Sequence, residues 1–131
     1  MKIKCKSNKA SYLSEKSLRV SGTVNTIFPL EIGKNYIVYS ICLWEGILKF
    51  LTIGEENLPS WYPAELFDVV DKMIPLEWYC DVKSGENLEA IWGYREIVID
   101  EEHYDELLER EDKAVRIFLK RKKEIDECFQ D

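Results

Sequence analysis

A single histidine, His103, stands among the 131 residues, and that scarcity removes much of the chemistry side chains can offer. A Ser–His or Cys–His nucleophile pair would have to use it, and the chain contains no Gly-x-Ser-x-Gly elbow. Zinc needs several ligands converging on one point. Glu102 and Asp105 beside His103 make at best a weak, adventitious site, so a solvated histidine on a first helical turn is expected. Cysteine is present but scattered: Cys5, Cys42, Cys80 and Cys128 lie 37, 38 and 48 residues apart, and no pair forms a Cys-x-x-Cys motif. They are expected to be reduced and to pack as small hydrophobes. The one Gly-Lys pair, Gly33-Lys34, lacks the upstream glycine and the following Ser or Thr of a phosphate loop, and reads as a turn. No run approaches the ~18 apolar residues of a membrane span. The start, Met1 to Lys6, has no apolar region of the kind that marks export. The expectation is a cytoplasmic, non-enzymatic chain with no cofactor, no metal and no membrane association.

What is present suits one folded domain covering residues 1–131. Hydrophobic residues make up 46%, aromatic 12% and charged 33%. That aromatic load separates the chain from disordered sequences, and the length allows a core without staples. The net charge of −7 is unevenly spread. Residues 1–23 hold six basic groups and one acidic group; residues 24–112 hold six basic and 20 acidic; residues 113–131 hold six basic and four acidic. A strongly acidic body repels phosphate, so no nucleic-acid partner is expected, and it steers a basic protein inward. Lys2, Lys4, Lys6 and Lys9, with Lys120 to Lys123, are the only basic clusters.

Residues 1–99 read as mainly β and residues 100–129 as helical. Lys2 to Lys6 alternates, and its lysines suit an edge strand. Ser7 to Lys16 reads as irregular. Short strands follow at Thr26–Phe28 and Leu30–Ile32, then one from Tyr36 to Trp44. Glu45-Gly46 joins that strand to Ile47–Ile53 as a hairpin. Another strand is expected from Leu66 to Val70. Met73 to Tyr79 is ambiguous, with Pro75 opposing a helix. Leu88 to Ile99 reads as one or two strands broken at Gly93. Asp100 is a good N-cap. Tyr104, Leu107, Leu108, Val115, Phe118, Ile125 and Phe129 form an apolar stripe on a helix that bends or splits near Glu111-Asp112. The predicted fold is α+β: a small SH3-like barrel of about five strands with a C-terminal amphipathic helix.

Two features suggest a binding surface. Asp100 to Asp112 holds eight carboxylates in thirteen residues. On a helix, Glu102, Asp105, Glu106 and Glu109 share one exposed face, where like charges three and four apart repel. Trp61 and Tyr62 before Pro63 resemble the aromatic wall of a ligand groove, with core packing as the alternative. Glu31, Glu65, Asp68 and Asp71 read as solvated charges at strand ends.

The run Phe28-Pro-Leu-Glu-Ile-Gly-Lys-Asn-Tyr-Ile-Val-Tyr-Ser-Ile41, with Trp61-Tyr-Pro-Ala-Glu-Leu-Phe-Asp-Val-Val-Asp71, Trp78, Ile91-Trp-Gly-Tyr-Arg-Glu96 and Glu101-Glu-His-Tyr-Asp-Glu-Leu107, resembles small bacterial single-domain immunity proteins of contact-dependent inhibition and other polymorphic toxin systems. The resemblance spans most of residues 25–110, and its motifs are structural. It implies an SH3-like core and a cytoplasmic protein that binds and neutralises a cognate toxin domain, such as a nuclease, by occlusion. Glu102, Asp105, Glu106 and Glu109, with Trp61 and Tyr62, are the candidate contacts. The alternative is an SH3-like peptide- or nucleic-acid-binding regulatory module. The oligomeric state is not legible.

Overall fold

A computed structural model describes residues 1–129. Eight strands are β1 (Lys2–Cys5), β2 (Asn35–Ile37), β3 (Ser40–Trp44), β4 (Ile47–Ile53), β5 (Pro59–Pro63), β6 (Phe67–Asp71), β7 (Tyr79–Val82) and β8 (Leu88–Gly93). Four α-helices are α1 (Glu15–Ser21), α2 (Arg95–Ile99), α3 (Glu101–Leu108) and α4 (Asp112–Glu127). Single 3-10 turns occupy Ala10–Tyr12 and Ala64–Leu66. The α+β class stands. The strands form two antiparallel sheets, ordered β2-β1-β6 and β5-β4-β3-β8-β7, and not one closed barrel.

The five-stranded sheet is the middle layer. One face packs on the three-stranded sheet and the N-terminal segment, through Ile3, Leu13, Val38, Phe50, Tyr62 and Leu66. Its other face packs on the helices, through Cys42, Leu51, Ile91, Ile97, Leu107 and Phe118. Alternation sorts the residues: Phe50 and Leu51 are neighbours in β4, yet they enter different cores.

Local chemistry explains the elements that sequence placed correctly. The β3–β4 hairpin closes at Glu45 (φ 48°) and Gly46 (φ 77°). Two consecutive left-handed residues make the tight turn whose twist matches the strands. A Cβ on Gly46 would collide with the Lys16 ammonium. Asp100 caps α3 by accepting from the backbone N–H of Glu102 (3.1 Å) and His103 (3.4 Å). Helices α3 and α4 split at residues 109–111.

Other expectations need correction. β1 is the centre of its sheet and not an edge; its lysines survive because one face of that small sheet meets solvent. Tyr36 to Trp44 is two strands with a corner at Val38-Tyr39. Residues 26–28 and 30–32 carry no strand beyond an isolated bridge from Lys9 to Ile27. The region read as irregular, Ser7 to Lys16, holds the 3-10 turn Ala10–Tyr12 and the first two residues of α1, which is started by Ser14, whose side chain accepts from the Ser17 N–H. Residues 95–99 form α2, because Gly93 ends β8 and the chain must turn toward the helical layer. Two of the four cysteines, Cys80 and Cys128, are exposed; all four are free.

Phe118 is fully buried at the centre of the helical core, with its ring edge-on to Tyr39 at 5.3 Å. Phe118→Ala is expected to lower folding stability by about 3–5 kcal/mol in urea denaturation, with the cavity adding to the lost transfer energy.

Candidate functional site

The stripe on α3 is laid out largely as the spacing predicts. Glu102, Asp105 and Glu109 are exposed and Glu106 is half-exposed. None of the four makes an ion pair among the described residues, whereas Glu101 meets Lys83 at 2.7 Å. Leu108, beside the stripe, is 54% exposed. Next to it, Trp44 and Trp61 from the sheet and Tyr104 from α3 build an aromatic shelf, with the Trp61 and Tyr104 rings 6.0 Å apart. Clefts of about 390 and 320 Å³ open on either side of the Trp44, Tyr104 and Leu108 group.

Trp61 and Tyr62 cannot both serve as surface anchors. Successive side chains of a strand point to opposite faces. Trp61 joins the shelf; Tyr62 is buried between the sheets, edge-on to Phe28 at 6.1 Å. Gly54 permits that packing, since a Cβ there would fall 2.7 Å from the Tyr62 hydroxyl.

His103 is also not where a solvated helix residue would be. It is buried, with Nε2 2.7 Å from the Tyr94 hydroxyl. Burial holds its pKa below 6.5, against the opposing pull of Glu96, Asp100 and Glu106. Nδ1 has no partner. The inward-facing ring packs in the helical core, edge-on to Tyr94 at 5.5 Å. Among the described residues no group of three or more His, Cys, Asp or Glu is arranged to hold a metal. No described helix is long and apolar enough to cross a membrane.

Glu65, read as a solvated charge, is structural as well. Glu65 accepts from the Ser14 N–H (2.8 Å), the Ser14 hydroxyl (3.2 Å) and the Ser17 hydroxyl, and so clamps the start of α1. Burial works to raise its pKa, but these hydrogen bonds outweigh burial and hold it below the usual range. Asp68 pairs with Lys6 at 3.3 Å. The terminal basic clusters are partly consumed. Arg121 forms a two-pronged pair with Glu96 (2.8 and 3.0 Å), and Lys122 meets Asp126 at 2.6 Å.

Compared with protein-family models, curated proteins and solved structures, the chain matches none.

One surface escaped the sequence reading. Between Val69 and Val82, seven large apolar side chains are exposed: Val69, Val70, Met73, Ile74, Leu76, Tyr79 and Val82. Leu76 is 103% exposed, as open as in an unfolded chain. This ribbon runs from edge strand β6 through a loop to edge strand β7. Edge β5 is bracketed by Pro59 and Pro63, which discourage further pairing; β7 carries no such guard. A groove of about 870 Å³ runs between the ribbon's loop and the end of α4. The signal was visible in Met73-Ile74-Pro75-Leu76, an apolar run where turn chemistry belongs.

The buried histidine yields a pH test. A base whose folded pKa is depressed weakens folding once the unfolded chain can protonate. Stability is therefore expected to fall as pH drops below about 6.5, levelling once the folded ring also titrates. His103→Gln, followed by urea denaturation between pH 7.5 and 5, should flatten that slope. An unchanged slope would assign the effect to other groups.

Proposed function

We propose that this chain is a binding protein of the immunity type, acting in the cytoplasm, that covers a cognate toxin domain and blocks it without chemistry. The observation that carries the reading is the exposed ribbon from Val69 to Val82. A monomer with no partner has little reason to keep so many large apolar groups in water on an unguarded sheet edge. The unpaired stripe of Glu102, Asp105, Glu106 and Glu109 supplies the complementary element. It attracts a basic surface, such as the phosphate-binding cleft of a nuclease, and speeds encounter more than it strengthens the complex. Apolar contact at the ribbon would supply affinity.

The finer fold belongs to the same proposal. The corner that leads from β2 in one sheet to β3 in the other, the orders β6-β1-β2 and β5-β4-β3, and the 3-10 turn at Ala64–Leu66 support an opened SH3-like core. Strands β7 and β8 then extend it. That strand order also favours the second reading, an SH3-like peptide-binding module with Trp61 on edge strand β5. The nucleic-acid form of that reading is weakened by the ion pairs that occupy Arg121 and Lys122.

Co-expression with the toxin domain encoded beside this gene is expected to rescue growth, and expression of the toxin alone to kill. Two sets of variants then divide the surface. Charge reversal at the four α3 carboxylates should slow association at low salt, while Leu76→Asp should speed dissociation, both read by surface-binding kinetics. Killing despite co-expression would remove the immunity reading. Unchanged kinetics in both sets would place the interface elsewhere.

A further inference from the structure

The 390 Å³ cleft beside the shelf holds two cations in unusual settings. Lys49 lies half-buried on the helix-facing side of β4. Its cross-strand neighbours are Cys42 and Pro63, so neither side offers a carboxylate. No described residue forms an ion pair or a side-chain hydrogen bond with its ammonium. Burial lowers its pKa, and Glu45, at the hairpin tip, acts on it only through space. Of the half-buried lysines, Lys83 and Lys122 each meet a carboxylate and Lys2 lies over the Phe129 ring; Lys49 has neither kind of partner among the described residues.

Arg110 is the second. It ends α3 in the left-handed conformation, φ 56°. The Arg110 N–H donates to the Leu107 carbonyl at 3.0 Å and the Glu111 N–H to the Glu106 carbonyl at 2.9 Å. That pair of bonds is the Schellman helix ending, whose left-handed position glycine fills best. Arginine there gives up backbone ease, and its side chain reaches back over the cleft to donate to the Ser60 hydroxyl at 3.0 Å. Arg110 also makes no ion pair with the surrounding Glu106, Glu109, Glu111 and Asp112.

Burial at Lys49 and the left-handed backbone at Arg110 each carry a local cost, and both place a cation without a direct ion-pair partner on one cleft. The walls of that cleft are Trp44, Trp61 and Tyr104, with Leu107 and Leu108. Aromatic walls with a few placed polar groups are the usual make-up of a small-ligand site. We propose that this cleft binds a carboxylate carried on a planar apolar body, with Lys49 and Arg110 sharing the anion and the two tryptophans holding the body. The same chemistry is offered by a free aromatic acid and by the C-terminus of a chain ending in an aromatic residue. The site stands on the cleft alone and does not depend on the immunity reading.

The test uses the full chain and three probes: N-acetyl-phenylalanine, its uncharged amide, and a tetrapeptide ending in phenylalanine with a free carboxylate. The readout is the four indole N–H signals by NMR, with Trp78 and Trp92 as internal references. The acids are expected to shift Trp44 and Trp61 saturably, and the amide is not. Lys49→Met and Arg110→Gly should each weaken binding about tenfold, the scale of one hydrogen bond to a charged group. Both variants should nevertheless unfold at equal or higher urea concentration than the parent. Tighter binding of the tetrapeptide identifies a chain terminus as the source; equal or weaker binding identifies a free acid. Equal shifts with acid and amide, no shift at Trp44 and Trp61, or undiminished binding by both variants overturns the proposal. A loss of stability in both variants overturns it too, since the two cations would then be structural.

Discussion

Where β2 becomes β3, the chain turns a corner, and two consecutive side chains enter different cores. Val38 points between the sheets and Tyr39 points toward the helices. The corner is held from several directions. The Val38 N–H donates to the Met1 carbonyl (3.1 Å) and the Tyr39 N–H to the Leu51 carbonyl (2.8 Å). The Thr52 hydroxyl donates to the Ile37 carbonyl at 2.6 Å. The Tyr39 hydroxyl reaches the Asp126 carboxylate on α4 at 2.6 Å. One residue thus ties the middle sheet to the last helix, and its ring packs on Phe118. Backbone groups freed by the bend find partners, as buried polar groups must.

With the middle sheet covered on both faces, the remaining edges and helix ends carry what is exposed. Edge β5 is closed by prolines, while β7 and the loop before it stay open and apolar. The helical layer hides His103 and Phe118 and turns its carboxylates outward. Charge and apolar surface are therefore separated: the stripe lies on α3, and the ribbon lies at the β6–β7 edges. On the proposed reading, the first surface attracts at long range and the second adheres at contact.

The sequence was most legible where chemistry acts over a few residues. Glu45-Gly46 announces a tight hairpin, Asp100 a helix start, and the 3–4 spacing of carboxylates a common face. Each depends on neighbours within a turn or two, so one sequence suffices. Reading failed where distant segments decide. Ser7 to Lys16 looks polar, yet Glu65, far along the chain, clamps the Ser14 cap of the helix that starts there. Leu88 to Ile99 is mostly apolar, with Ile91-Trp92 and Ile97-Val98-Ile99 on either side of Gly93, so periodicity alone does not separate a strand from the short helix that follows it.

By itself, the sequence determined the class of fold, the acidity of α3 and the scarcity of histidine, because composition and local spacing are its own properties. Only the tertiary structure decided which aromatic groups line a cleft. Trp61 and Tyr62 are adjacent and alike in sequence, and the pleat of β5 sends one to a cleft and the other into the core. It also decided that Lys49 and Arg110, sixty-one positions apart, face one cleft without a carboxylate. Pairing of charges is a matter of distance in space, and the order of residues along the chain does not encode it directly.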